Sequence, residues 1–117
     1  MSDAPPWVLP VAGIALDADE LDPGDVLAGD PATASKTLWT SKDDTVHHGI
    51  WEITPGTVTD VEADELFVVL SGRATIAFED GPALEVGPGD VCRLPAGVRT
   101  VWTVHETLRK VYAIVSG

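Results

Sequence analysis

Hydrophobic and polar residues alternate along most of the chain from Lys36 onward, with the period of two that a β-strand requires. β-Branched and aromatic residues dominate TVHHGIWEI, RATIAF and VRTVWTV, while ELFVVLSG is a continuous apolar run of strand length. Sequences rich in Gly, Pro and Asp separate these segments, and Asp80-Gly81 is typical of a hairpin turn. No segment holds a helical period beyond two turns. The pattern predicts an all-β domain, either a sandwich or a barrel.

The first 35 residues have a different texture, rich in Asp, Ala and Pro. Pro5, Pro6 and Pro10 exclude a helix from PPWVLPV, because proline lacks the backbone donor and has a fixed φ. We predict an extended acidic arm over residues 1–35, with one short helical turn around residues 18–21, and a barrel over residues 36–117. The composition fits an arm docked on the barrel and a mobile lid equally well.

Length and charge narrow the classes of partner. The chain has 117 residues, the size of one domain, and a net charge of −12. Its first 35 residues contain seven acidic residues and no Lys or Arg. We therefore expect neither nucleic acid nor an anionic membrane as a partner, since phosphate groups require clustered Lys and Arg. The single Cys92 permits no intrachain disulfide, and we expect neither a signal peptide nor a membrane span, so the sequence indicates a cytoplasmic protein.

Two motifs have a spacing that is known from a protein family. Gly89 is followed after five residues by Pro95-Ala96-Gly97 and then by Thr100, and Glu65 is followed after six residues by Gly72. In these motifs the chain resembles the cupins, double-sheet barrels of the jelly-roll type. The segments GIWEITPG, EDG before GPGD, PAGVRTVW and RKVY are similar to the cupin subgroup named after ureidoglycine aminohydrolase-like domains. The resemblance covers about residues 38–115 and implies a cupin double-stranded β-helix with an N-terminal arm.

The resemblance also implies where a metal ion would be bound. Cupin metal centres use three His and one Glu, and here only Glu65 stands at a ligand position, while Thr100 replaces a His. The two His positions upstream of Glu65 in the motif fall at Val58 and Asp60 or at Thr59 and Val61, depending on the length of the loop. His47 and His48 are neighbours on a predicted strand and face opposite sides, so at most one can face the interior. We therefore expect no tight His-based metal site and no cofactor.

The acidic run TDVEADE, which includes Asp60, Glu62 and Asp64, offers oxygen ligands of the kind that Ca²⁺ and Mg²⁺ prefer. It lacks the Gly-punctuated loop of an EF-hand, and we expect a solvated loop instead.

Strand alternation and motif register aim several polar and aromatic residues inward. A carboxylate at Glu65 inside an apolar barrel must find a partner or take up a proton, and Lys110 and Tyr112, which share a face of the last strand, are candidate partners. Arg73 and the His47/His48 pair are further candidates. The pocket is expected to be lined by Trp51, Glu65, Phe67, Thr100, Trp102 and Tyr112.

Three functional interpretations remain open. In the first, a metal-independent pocket either only binds a small molecule, against Trp51, Phe67, Thr100 and Trp102, or catalyses a proton transfer. Glu65 would then be the acid/base, with Lys110 or Tyr112 as its electrostatic partner, in an isomerisation, dehydration or cyclisation. In the second, Glu65 binds a metal with His47 or His48 in an aminohydrolase or dioxygenase. The third is a non-catalytic sensor or assembly domain, and Glu65 could equally belong to a buried pair that only holds the barrel together. We expect a homodimer, because an exposed apolar sheet face or edge strand needs cover.

Overall fold

The structure, a computed structural model, describes residues 5–116, and its regular secondary structure there is almost entirely β-strand. The strands within this range are β1 (Asp17–Asp19), β2 (Val26–Gly29), β3 (Thr33–Thr40), β4 (Val46–Ile53), β5 (Gly56–Val61), β6 (Asp64–Phe78), β7 (Ala83–Val86), β8 (Val91–Leu94) and β9 (Arg99–Val115). They form one curled sheet with the order β1-β3-β4-β9-β5-β2, and β6 pairs with β7, β8 and β9. The all-β class predicted from the alternation is confirmed, and of the sandwich and the barrel that it left open, the structure has the barrel that the family resemblance implied.

The two long strands β6 and β9 form the spine of the barrel. β6 runs antiparallel to β9 from Asp64↔Val115 to Phe78↔Thr100, and the other edge of β9 pairs first with β5 and then with β4. β6 has bulges on both sides of Ser71, next to Gly72, which has a φ of +87°. A Cβ on Gly72 would lie 2.6 Å from Leu108 Cα, so only glycine fits this crossing. The motif glycine therefore permits the close approach of β6 and β9.

Inward-facing residues of the strands build a single apolar core, as the alternation along β6 and β9 requires. Its fully buried side chains include Ile53, Phe67, Ile76, Leu94 and Leu108. Cys92 lies in the same core, and burial raises the pKa of its thiol. The residue therefore packs as an apolar side chain, as its flanking sequence predicts.

Part of the acidic N-terminal segment joins the sheet. β1 pairs with β3, and β2 pairs with β5. The helical turn lies at Pro23–Asp25 and not at residues 18–21, because residues 17–19 are extended against β3. Asp22 caps the start of this helical turn, because its Oδ1 accepts a hydrogen bond from Gly24 N at 2.9 Å. Pro23 follows at the first helical position, which proline favours.

The segment before β1 is attached to the outer side of the barrel through Arg109. The guanidinium donates to the carbonyl oxygens of Val11 and Ile14, each at 2.9 Å, and pairs with Glu52 at 3.0 Å. Residues 1–4 of the predicted arm lie outside the described residues. Among residues 5–116, no helix has the length and apolar character to cross a membrane.

Candidate functional site

A cavity of about 380 Å³ opens at one end of the barrel. Its wall combines side chains from six strands with the turn that follows β1. The residues that line it are Asp19, Glu20, Leu21, Asp25, Thr33, Ser35, Trp51, Ile53, Val58, Thr59, Asp60, Glu62, Glu65, Trp102, Lys110, Tyr112 and Ile114. Its volume is in the range of small-molecule sites.

Glu65 and Lys110 form a buried ion pair in this wall. Lys110 Nζ donates to Glu65 Oε2 at 2.6 Å, and only 7% and 6% of the two side chains are exposed. Among the candidate partners that the sequence left open for Glu65, the structure selects Lys110. The pair is charge-assisted and shielded from water, which strengthens its electrostatic attraction.

Three aromatic rings surround the Lys110 ammonium. Its Nζ lies 4.6 Å from the ring centroid of Trp51, 4.4 Å from that of Phe67 and 5.0 Å from that of Trp102. These distances fall within the range in which a ring attracts a cation. The aromatic cage and Glu65 together compensate the loss of water around a buried ammonium.

The sequence interpretation of the acidic run TDVEADE as a solvated loop is wrong for Glu62. This side chain is only 7% exposed, and its Oε2 accepts hydrogen bonds from Thr100 Oγ1 at 2.6 Å and from Trp102 Nε1 at 3.0 Å. Backbone hydrogen bonds from Glu62 N to Val98 O and from Gly97 N to Glu62 O hold it against the turn before β9. A signal existed in the sequence, because an inward-facing tryptophan needs an acceptor for its indole N–H.

Two of the residues predicted to bind ligand lie behind the cavity wall. Phe67 is fully buried and packs under Trp102, with ring centroids 5.7 Å apart. Thr100 is only 1% exposed, and its hydroxyl is directed to Glu62. Neither residue lines the cavity, but each contacts a residue that does, Phe67 through Trp102 and Thr100 through Glu62. Their place in the structure is to support the wall.

The other predicted residues do line the cavity. Trp51 and Trp102 meet edge to face, with ring centroids 5.8 Å apart and an angle of 73° between the rings. Tyr112 lies opposite Gly49, where a Cβ would come within 2.7 Å of Lys36 O and would also collide with the Tyr112 hydroxyl. Gly49 therefore makes room for the Tyr112 side chain. Burial raises the pKa of the Tyr112 phenol, with smaller contributions from nearby charges.

Carboxylates are concentrated at the cavity mouth. Partial burial of the Asp60 carboxyl raises its pKa, and the negative charges of Glu62 and Asp25 raise it further. Asp25 comes from the turn after β1, so the N-terminal segment shapes the electrostatic field of the cavity. Within residues 5–116, Lys110 is the only basic residue in the wall.

The described residues do not fit the metal centre of the cupin motif. At the positions that the motif assigns to ligands, Glu65 is bound to a positively charged ammonium and Thr100 to Glu62. His47 contacts Thr40 and Asp44, and His48 stacks on Trp39 at 5.0 Å, so neither reaches the cavity. Within residues 5–116, no group of three or more His, Cys, Asp or Glu side chains could hold a metal ion. Neither of these two histidines lies beside Glu65 at the cavity.

Comparison with known proteins agrees with this barrel. A family model described as the EutQ-like cupin domain matches residues 40–112. The chain belongs to the EutQ-like cupin family. The cupin fold predicted from the motifs is thereby confirmed, while the ureidoglycine aminohydrolase-like subgroup stays a prediction.

Several solved structures are similar to this EutQ-like cupin. A protein of unknown function from Pseudomonas syringae pv. tomato, of the DUF861 family, is 26% identical with a TM-score of 0.79 over 88% of this chain and 45% of that one. The present chain thus spans less than half of that protein. The Clostridium difficile EutQ protein is 21% identical, with a TM-score of 0.63 over 83% of this chain and 80% of that chain.

A putative ethanolamine utilization protein Q from Salmonella typhimurium is 21% identical, with a TM-score of 0.63 over 72% of this chain and 69% of that chain. At these two lower identities the likeness concerns the fold alone. No curated protein matches the chain.

Proposed function

We propose that the barrel binds a small organic molecule in the cavity beside Trp51 and Trp102, and that the Glu65–Lys110 pair, not a metal ion, acts on it. The observation that carries the proposal is the position of Lys110 Nζ, 2.6 Å from the carboxylate that the cupin motif assigns to a metal. A buried ammonium there supplies the positive charge that a metal would otherwise bring to the site, and it disfavours a metal ion at coordination distance from Glu65.

The pair is suited to proton transfer. Lys110 contacts Oε2 of Glu65, while both residues line the cavity. A ligand C–H next to a carbonyl group can lose its proton to Glu65 as the carbonyl oxygen accepts a hydrogen bond from Lys110. Return of the proton to another atom of the ligand completes an isomerisation, and loss of a leaving group completes an elimination. General acid–base catalysis of this kind contributes about 10²–10⁴-fold in rate.

Two properties of the site support this proposal over the metal-dependent alternative. The histidines on which that alternative depends lie away from the cavity, and the carboxylate it needs is already neutralised by Lys110. The name of the Salmonella neighbour links that protein to ethanolamine utilization, but at 21% identity it does not select a substrate for this chain. A cytoplasmic location belongs to the proposal and is supported by the free, buried Cys92.

Solvent-deuterium exchange tests the proposed chemistry without a known substrate. Small carbonyl compounds that perturb the tryptophan resonances are incubated with the protein in D₂O, and NMR records deuterium incorporation at carbon. We expect exchange by wild type and a loss of about 100-fold in Glu65→Gln, the size of a lost acid–base group. Equal exchange by both proteins would exclude the role of Glu65, and about one tightly bound metal per purified chain would exclude metal independence.

We also propose that the protein is a homodimer that buries the outer face of β6, β8 and β9. Leu66, Val68 and Val91 are exposed on this face, at 46%, 38% and 63%, and Val68 lies directly opposite Val91. Trp7 of the arm lies at the same surface, beside Leu66 and Val68. Light scattering is expected to give twice the chain mass for wild type and for Leu27→Lys on β2, but the monomer mass for Val68→Lys. A monomeric wild type would contradict the proposal.

A further inference from the structure

We propose that the ligand of this cavity is a small organic cation, such as a protonated amine or a quaternary ammonium compound, and that the N-terminal segment selects it by charge. This inference rests on the proposed ligand-binding function and names the class of molecule that the same site takes. It also assigns a role to the acidic segment before β2.

The composition of the wall is the first argument. Among the described residues, the wall contains six carboxylates and a single basic residue, Lys110, which is already paired with Glu65. Three of the six carboxylates, Asp19, Glu20 and Asp25, come from the N-terminal segment. An anionic ligand would enter a field of like charge, whereas a cation would be attracted.

Glu62 is the second argument. The side chain is more than nine-tenths buried and lines the cavity, yet both of its hydrogen bonds from described residues end at Oε2. Oε1 accepts no hydrogen bond from the described side chains, so the Glu62 carboxylate can accept a further hydrogen bond from a ligand. A buried carboxylate oxygen next to a tryptophan ring is the partner that an ammonium N–H or N–CH₃ group requires.

The third argument is that the wall already binds an alkylammonium group. The Lys110 side chain ends in one, and its Nζ rests over the rings of Trp51 and Trp102. Both rings also line the cavity, but Trp102 is only 3% exposed, so the partly buried Trp51 ring offers the surface that remains open to a ligand. Aromatic rings recognise quaternary ammonium ligands in the same way.

A divalent metal ion is the competing cation. It would need several oxygen ligands converging at 2.0–2.6 Å. Within the described residues, no group of three or more acidic or metal-binding side chains is arranged in that manner. The carboxylates are instead distributed around an opening wide enough for an organic molecule, which favours a diffuse, bulky cation.

Three probes of almost identical shape separate charge from size: choline, its neutral carbon isostere 3,3-dimethyl-1-butanol, and the anion 3,3-dimethylbutyrate. Binding is followed at low salt and pH 7 by the shifts of the indole N–H resonances, which report Trp102 beside Glu62. We expect choline to bind at least 10-fold more tightly than the neutral isostere and the anion not to bind. Calcium chloride serves as the metal probe.

Two triple variants locate the selectivity. D19N/E20Q/D25N removes the three carboxylates of the N-terminal segment from the wall, and D17N/D30N/D80N removes three exposed carboxylates that do not line the cavity. The first variant is expected to weaken choline binding at least 10-fold without changing the affinity for the neutral isostere, and the second is expected to bind choline as wild type does. If both variants weakened choline binding equally, the net charge of the protein and not the N-terminal segment would cause the selectivity. That result would overturn the inference.

The outcomes distinguish failure of this inference from failure of the proposed function. If the neutral isostere or the anion binds as tightly as choline, and Trp51→Ala weakens that binding, the cavity binds ligands but does not select cations. If calcium shifts the indole resonances and choline does not, the ligand class is wrong. If none of the probes shifts them, both cation selection and binding in the cavity are overturned.

Discussion

Lys110 and Glu65 are 45 positions apart in the sequence, yet their charged atoms meet at 2.6 Å inside the barrel, where both side chains are more than nine-tenths buried. Trp51 and Trp102 flank the ammonium. The pair therefore links the stability of the barrel to the chemistry of the cavity, because a buried charge that loses its partner is destabilising wherever it lies.

Removal of either charge of this pair is expected to destabilise the protein strongly. Lys110→Met leaves the Glu65 carboxylate buried without a cation, and Glu65→Gln leaves the Lys110 ammonium without an anion. Each single change is expected to lower the free energy of unfolding by about 3–5 kcal/mol, and the double variant by less than the sum. Urea unfolding monitored by tryptophan fluorescence measures these values.

The exposed pair Arg73–Glu106 provides the control, since its side chains are 58% and 60% exposed. Glu106→Gln is expected to change the free energy of unfolding by less than about 1 kcal/mol. Strictly additive losses for the Glu65 and Lys110 variants would show that the two residues do not interact energetically.

Loss of Glu62 is expected to leave two buried donors without an acceptor. Glu62→Ala removes the carboxylate that binds Thr100 Oγ1 and Trp102 Nε1. Each orphaned donor costs about 1–3 kcal/mol of unfolding free energy. Glu85→Ala is the control, because Glu85 also accepts from a threonine hydroxyl, that of Thr75, but on the exposed surface. Equal thermal stability of the two variants would show that the two hydrogen bonds to Glu62 do not stabilise the fold.

The pKa of Asp60 is raised above its ordinary value of 3.8, first by burial and then by Glu62 and Asp25. Ionised Asp60 is therefore less favourable in the folded protein than in the unfolded chain, and the penalty appears as the pH rises above that value. We expect Asp60→Asn to raise the melting temperature at pH 7, with the gain disappearing below pH 3.8. Melting curves from pH 3 to pH 8 test this sign.

The pKa of Asp43 is shifted in the opposite direction to that of Asp60. Hydrogen bonds from Ser41 and Thr45 lower the pKa of its carboxyl from 3.8, so the ionised form stabilises the folded protein. That stabilisation is fully present above 3.8 and is lost as the pH falls through the lower, folded-state value. Asp43→Asn is expected to lower the melting temperature at pH 7 and to have less effect in acid. If both Asn variants shifted stability in the same direction at pH 7, one of the two assignments would be wrong.

Two glycines with almost the same φ allow the cost of backbone strain to be measured apart from the cost of a steric clash. Gly72 has a φ of +87° and Gly89 has a φ of +86°. A Cβ added at Gly72 would clash with Leu108 Cα, whereas a Cβ added at Gly89 would have no heavy atom within 4 Å. Gly89→Ala is expected to cost about 1–2 kcal/mol from the left-handed conformation alone. Gly72→Ala is expected to cost clearly more, because β6 and β9 must separate. Similar unfolding free energies would contradict this explanation of the bulge.

Arg109 is expected to hold the N-terminal arm on the barrel. Arg109→Gln loses the hydrogen bonds to Val11 O and Ile14 O and the ion pair with Glu52, so chymotrypsin should cut after Trp7 at least 10-fold faster. Arg99→Gln is the control, because Arg99 pairs with Glu79 at the surface, at 3.5 Å. Unchanged cleavage in the first variant would show that other contacts hold the arm.

The strand pattern predicted the fold well because alternation reports a local property, the side of the sheet to which each side chain points. It placed Trp102 on the same inward face as Thr100, and Lys110 on the same inward face as Tyr112. The cupin spacing aimed Glu65 inward. The alternation could not show which of the inward-facing residues reach the cavity. Phe67, for example, faces inward but packs against Trp102 and does not line the cavity.

By itself, the sequence determined the all-β class, the hairpin turn at Asp80-Gly81 and the absence of histidine from the motif position at Thr100. Only the tertiary structure decided that Lys110 is the partner of Glu65, that Glu62 is buried, and that the acidic N-terminal segment lines the cavity. The physical reason is distance along the chain. Periodicity constrains neighbours within one strand, whereas a charged side chain chooses its partner from strands that only the closed barrel brings together.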